Sequence, residues 1–329
     1  MKTTRSRLLA TLALLALASA PFRGALAQQS YPNKSIKLLV PLAAGSTADI
    51  LSRTVGAELA KALGQPVVVE NKPGAGGTIA TAELARAPAD GYTIEFASQG
   101  TLVFNQALYS KPGYDSIKDI APIILIGGVS NVMIVPPNSN AKNVLDVIAA
   151  AKAKPGTMTF SSGGSGTSHH LSGVLFGQLS GTNLLHVPYK GAPQGILAVM
   201  SGEVDMGFFN TPTVINQIKE GKVKGLAVTS TTASPLLPQL PTMDASGVKT
   251  YEVNTWFGFV APAGTPSDVV TKLHSEIGKI VSQPAMKEKL GSQGFELAPV
   301  QPPAAFGKLI QDDLVKWPSI IKAAGAKVD

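Results

Sequence analysis

Residues 35–49, SIKLLVPLAAGSTAD, hold a strand, a turn and the start of a helix in one stretch. Ile36, Leu38, Leu39 and Val40 make a short, almost continuous apolar run, the pattern of a strand covered on both faces. Gly45, Ser46 and Thr47 are turn and cap residues, and Asp49 falls where a first-turn carboxylate offsets the helix dipole. A helix is predicted from about residue 48 to 63. The unit then repeats, with strands over 66–71 (PVVVEN) and 92–98 (YTIEFAS) and a helix over 78–86 between them. This βαβ alternation predicts an α/β fold with a mostly parallel sheet and helices on both faces.

A second series follows. An apolar strand pair is expected around 123–135, then a helix over 143–153, a strand over 158–162, a helix from about 169 to 179 and a strand over 184–188. Helices over 194–201 and 214–220 alternate with strands over 204–210 and 223–230. SPLLPQLPT (234–242), with three prolines, predicts an irregular connection. The tail resumes with a strand near 257–261 and helices over 266–282, 284–290 and 304–323. Two α/β domains exchanging chain near 99–102 and 226–232 fit this order: residues 28–101 with 229–329 as the first, 102–228 as the second. About 300 residues also exceed one comfortable hydrophobic core.

The first 27 residues read as a secretory leader. Lys2, Arg5 and Arg7 precede an apolar stretch ending near Ala20, and Ala25-Leu26-Ala27 forms a small-x-small cleavage pattern. The apolar stretch falls short of the roughly 20 residues that span a bilayer. With no cysteine there is no lipid-attachment thiol and no disulfide framework. An exported protein is expected, located in the periplasm if the cell has one. Removing Lys2, Arg5, Arg7 and Arg23, with no acid among them, takes the formal charge from +7 to +3. The remaining lysines are scattered, which argues against nucleic acid as a partner. Beyond the leader the only arginines are Arg53 and Arg86, both within predicted helices. A ligand carboxylate would therefore not meet an arginine fork.

Another donor is available. In parallel α/β sheets the loops after strands face the binding crevice, and the helix that follows directs its free N–H groups there. SSGGSGTSHH (161–170) is such a turn, with Ser162, Gly163, Ser165, Gly166, Thr167, Ser168 and His169 as candidates. The turn after the first strand has the same design in Leu42, Ala43, Ala44, Gly45, Ser46, Thr47, Ala48 and Asp49. Set in different domains, the two would form neutral, amide-lined pincers for an anion. Either turn alone is also explained by ordinary helix capping, and Asp49 by capping or by a contact with Arg53. Adjacent His169 and His170 point in different directions on a helix, with no Cys, Asp or Glu nearby, so neither a metal nor a cofactor is expected. A G-x-S-x-G elbow fails at Thr167. A hydrolase using Ser165 and His186 remains as the enzyme alternative to a binding protein.

NKPGAGG (71–77), PADGYT (88–93), VPYKG (187–191), AVTS (227–230), LPQLPT (237–242) and APAGTP (261–266) occur in this order. In sequence and spacing they resemble the substrate-binding proteins of tripartite tricarboxylate transporters, also called the Bug family. The resemblance implies a periplasmic-binding-protein fold of type II, with a ligand cleft between two domains. It also implies delivery of a small organic acid to membrane permease subunits, with presentation to a sensor kinase as the alternative, and a monomer. It implies that backbone amides of the turns at 42–49 and 162–168 hold a carboxylate. Gly77, Thr78, Ser98, Tyr189, Asn210 and Thr211 are further matching positions, and Lys190 is a solvated lysine beside the cleft. Where members carry an aromatic residue, prolines and several glycines, this chain has Leu42, Ala43, Ala44 and a single Gly45. Room for a longer or aromatic acid is the expectation.

Overall fold

A computed structural model describes residues 31–323, and from Lys34 onward they belong to one compact unit. The leader expected over residues 1–27 lies outside the described residues. Strand β1 (Ile36–Val40) pairs in parallel with β2 (Val67–Asn71) and β3 (Thr93–Ser98). Helix α1 (Thr47–Leu63) follows β1, capped by the Ser46 hydroxyl at its start and by left-handed Gly64 at its end. Leu51, Val55 and Leu59, one turn apart, are fully buried, so their spacing sets the face packed onto the sheet. Helix α2 (Thr78–Arg86) joins β2 to β3.

β4 (Ile120–Val135) is the pivot of the fold. The strand pair expected around 123–135 is a single strand of 16 residues, because its two halves serve different neighbours. Residues 120–130 pair with β9 (Asn254–Pro262), with register shifts near Pro122 and Leu125. Residues 131–135 pair with β7 (Met206–Asn210) and β8 (Lys224–Val228). The order is β2-β1-β3-β9-β4-β7-β5-β6, where β5 is Thr159–Ser162 and β6 is Leu185–Pro188; β8 and the short β10 (Glu296–Leu297) also pair with β4. The mostly parallel sheet expected from sequence holds at the two wings, whereas every pair involving β4 or β9 is antiparallel. A βαβ pattern constrains strands joined by a crossover helix. β9 instead arrives through the irregular 229–253 segment and is free to run the other way.

Helices α3 (Asn105–Leu108), α4 (Val144–Ala153), α5 (Ser168–Ser180), α6 (Ala192–Ser201) and α7 (Thr211–Lys219) follow in turn. The tail supplies α8 (Ser267–Ser282), α9 (Pro284–Gly291) and α10 (Pro303–Ala323). One core joins Leu39, Leu84, Val103, Phe104, Phe306 and Trp317; two others gather around Phe209 and around Phe208 with Tyr251. Leu102, Val103, Phe104 and Leu108 pack into the first of these cores. The change of sheet neighbours falls later, between Ser130 and Asn131. There Asn131 N–H donates to Thr229 Oγ1 at 2.7 Å, and Thr229 Oγ1 donates to the Val253 carbonyl at 2.7 Å, drawing three chain segments together.

Candidate functional site

A cavity of about 500 Å³ opens where the turns after β1, β2, β5 and β6 converge. Of the candidates named from sequence, Leu42, Ala43, Gly163, Ser165 and Tyr189 line it; Pro41, Pro73, Gly74, Ala75, Gly76, Tyr109, Gly164 and Lys190 complete the wall. The opposing turns touch. A Cβ on Gly76 (φ +62°) would clash with the Ser165 carbonyl oxygen, and one on Gly166 (φ +84°) with Asn105 Oδ1. Only glycine permits that approach at both positions.

Much of the expected pincer chemistry is spent inside the turns. Gly45 N–H donates to Asp49 Oδ2 (2.9 Å), and the other Asp49 oxygen accepts from Arg53 Nε (2.9 Å). Gly163 and Gly166 N–H donate to the Nδ1 atoms of His169 (3.2 Å) and His170 (3.3 Å), and Gly164 N–H to Ser162 Oγ (3.1 Å). Ser46 and Thr167 cap α1 and α5, and Thr167 Oγ1 also donates to the Gly164 carbonyl at 2.7 Å. Thr47, Ala48, Thr78 and Ser168 are buried within their helices, while Ala44 is exposed outside the cavity wall. Gly77 packs on Pro41 and Thr101, and Ser98 pairs with Thr101. Thr211 Oγ1 donates to the Ser130 carbonyl.

What remains is a set of donors. The N–H groups of Leu42, Ala43, Gly74, Ala75, Gly76 and Ser165 meet no acceptor among the described residues. The carbonyls of the same six residues are all paired. Leu42 O accepts from Asn71 Nδ2 (3.0 Å), Ala43 O from Ser46 N (3.1 Å), Gly74 O from Gly77 N (2.8 Å) and Ala75 O from Thr78 N. Gly76 O accepts from Asn105 Nδ2 (2.9 Å) and Ser165 O from the Tyr109 hydroxyl (3.5 Å). In a trans peptide the carbonyl of one residue and the N–H of the next point in opposite directions. Pairing Leu42 O, Gly74 O, Ala75 O and Gly164 O within the protein therefore turns the N–H groups of Ala43, Ala75, Gly76 and Ser165 away from those partners, and all four residues line the cavity. Among the described residues no carboxylate lines the wall, and the one charged side chain there is the exposed Lys190.

A buried polar relay backs the β5 turn. Because Gly163 N–H donates to His169 Nδ1, the proton of that ring sits on Nε2, 3.2 Å from Asn210 Oδ1. Asn210 Nδ2 donates to Asn131 Oδ1 (2.6 Å) and Asn131 Nδ2 to Ser172 Oγ (2.8 Å), so the relay ends where β4 changes neighbours. Burial lowers the pKa of His169 to about 4, against which the Asn210 bond acts weakly, and burial lowers that of His170 to about 4. Burial, with His170 stacked on it, takes His186 to about 3. His186 Nε2 is bonded to Ser162 Oγ at 2.7 Å, so the Ser165–His186 pair of the hydrolase alternative is not assembled. Behind the β2 turn, Glu95 is fully buried and its carboxyl is pushed up to about 8 by burial, opposed by a bond from Thr81 Oγ1 (2.9 Å). Among the described residues no three metal-ligating side chains come together.

The β2 turn is the part of the wall that the turn-by-turn reading of the sequence passed over. Pro73-Gly74-Ala75-Gly76 carries no polar side chain, and its usable groups are main-chain N–H groups. The available signal was the dense glycine of NKPGAGG itself. A second cavity, of about 450 Å³, lies apart from these turns and is lined by Asp146 and Asp205, which repel an anion.

The profile of the tripartite tricarboxylate transporter family receptor matches residues 51–326. Protein BugT of Bordetella pertussis is 30% identical over 324 residues, covering 98% of this chain and 99% of that one. Among solved structures, Rpa4515 of Rhodopseudomonas palustris with adipate is 31% identical with a TM-score of 0.87, over 91% of this chain and all of that chain. MatC from the same organism, with bound malate, is 27% identical with a TM-score of 0.83, over 88% and 100% of the two chains.

Proposed function

This chain belongs to the family of tripartite tricarboxylate transporter receptors, and from that premise we propose that it captures a small organic carboxylate in the cavity between the β1, β2 and β5 turns. The observation that carries the reading is the separation of donors from acceptors. Six wall residues keep their N–H groups unpaired while their carbonyls are all paired. A carboxylate offers acceptors alone, so it suits such a wall without any arginine. Adipate in Rpa4515 and malate in MatC are ligands of the same kind.

The two sides of the cavity act as lobes, divided where β4 changes neighbours and where Thr229 and Val253 cross beside it. Closure brings the β2 turn onto Ser165 and Asn105 of α3 onto Gly166, and removes water from the anion, which strengthens each amide bond to it. The protein works in the periplasm, after removal of residues 1–27, and passes its ligand to membrane permease subunits. A cavity of about 500 Å³, with Leu42 and Ala43 on its wall, has room for acids longer than malate.

A thermal-shift panel of aliphatic dicarboxylates, tricarboxylates and aromatic acids tests this. A ligand at 100 times its Kd raises stability by about 2.7 kcal/mol. Shifts confined to acids support the reading, with terephthalate against malate ranking the available length. A chain stripped of resident ligand that responds to no acid contradicts it.

A further inference from the structure

Asn71, the last residue of β2, faces two groups of opposite chemistry. Its Oδ1 accepts from Arg53 Nη2 at 2.9 Å, and its Nδ2 donates to the Leu42 carbonyl at 3.0 Å. The guanidinium only donates and the carbonyl only accepts, so the orientation of the amide is dictated from both sides. Arg53 is itself braced by Asp49, which also holds Gly45 N–H. The result is a strut from α1 through β2 to the peptide that joins Leu42 to Ala43.

We infer that Asn71 is a positioning residue for ligand binding: by holding the Leu42 carbonyl it aims the Ala43 N–H into the cavity. This rests on the carboxylate reading of the site and adds to it a side chain that never touches the ligand. A peptide free to rotate would present a carbonyl oxygen to the anion in half of its orientations, and a carbonyl repels what the N–H attracts. Leu42 O has no other donor among the described residues, in contrast to Gly164 O, which has two. Asn71 alone therefore sets this peptide.

Asn71→Asp separates the two contacts. An aspartate keeps an oxygen for Arg53 and turns its second oxygen toward the Leu42 carbonyl, so the brace to α1 survives while the orienting donor becomes a repulsion. The probe is whichever of adipate, malate and terephthalate binds the wild-type chain most tightly in calorimetry. The expected result is affinity weakened roughly tenfold with the denaturation midpoint of the unliganded protein not lowered. On ligand addition the amide resonance of Ala43 loses its shift, while those of Gly76 and Ser165 keep theirs. Wild-type affinity in the variant overturns the inference, as does an equal loss at all three turns accompanied by a lower midpoint, which marks a general folding role. If none of the three binds, the tightest acid of the wider panel takes their place, and if no acid of that panel binds the wild-type chain, the carboxylate reading falls and this role falls with it.

Discussion

Replacing Glu95 by glutamine should make the protein more stable at neutral pH and flatten its loss of stability between pH 4.5 and about 8. Glu95 lies on β3 with no solvent exposure; Oε1 is bonded by Thr81, and Oε2 has no partner. Burial raises its pKa from 4.5 to about 8, so the folded protein holds a proton that the unfolded chain releases. The group's contribution is therefore greatest at low pH and is lost as pH rises from 4.5 to about 8, above which it stays constant. Each tenfold difference in proton affinity is about 1.4 kcal/mol, giving a penalty of about 1 kcal/mol at pH 5 and about 4 kcal/mol at pH 8. Glutamine keeps the shape and the acceptor for Thr81 without the titration. Urea unfolding of both proteins at pH 5, 6, 7 and 8 measures the difference directly. The variant should gain about 3 kcal/mol on wild type between pH 5 and 8. Parallel curves would show that Glu95 ionises in the fold without cost, refuting the reasoning.

His169 predicts the opposite slope on the acid side. Its folded pKa of about 4 lies below the ordinary 6.5, so the stability it contributes is present above pH 6.5 and is lost as pH falls toward 4, by up to about 3 kcal/mol; pairwise comparison with His169→Gln should show a flatter acid limb, and an unchanged limb contradicts the buried neutral imidazole. Gly166→Ala places a methyl group against Asn105 at a positive φ, so affinity for any bound acid should fall by roughly tenfold or more while the unliganded protein stays folded; calorimetry with circular dichroism decides, and unimpaired binding means that the closed contact is dispensable. Lys190→Gln should slow association with an anion about threefold at low salt and leave dissociation unchanged; stopped-flow traces at two ionic strengths test this, and a faster dissociation would place Lys190 against the ligand.

Local units were legible from sequence because short-range chemistry decides them. The Ser46 cap, the apolar rhythm of α1 and the Gly64 stop all act within about twenty residues, and the helix appears where they put it. Which strands meet across the middle depends on long-range pairing, and there the pattern is silent. β4 reads as a pair because Pro122 and the glycines at 127 and 128 interrupt its apolar run, yet these residues coincide with register shifts in one strand. The site was half legible for a related reason. Composition shows that the turns are rich in amides and hydroxyls, but the direction each peptide faces is set by distant partners such as Asn71 and Asn105. Gly45, Gly163 and Gly166 looked like donors to a ligand and are donors to Asp49, His169 and His170. Gly74, Ala75 and Gly76, without a polar side chain among them, supply three of the six N–H groups left unpaired among the described residues, beside those of Leu42, Ala43 and Ser165.

The role of the six unpaired N–H groups is tested most directly by calorimetry with a matched pair: the tightest-binding acid of the panel against its own amide, equal in shape. An amide group carries N–H donors that would face the donors of Ala43, Ala75, Gly76 and Ser165. The acid should bind at least about a hundredfold more tightly, a difference of about 2.8 kcal/mol. An amide that binds as well as its acid would mean that the unpaired N–H groups do not hold a carboxylate.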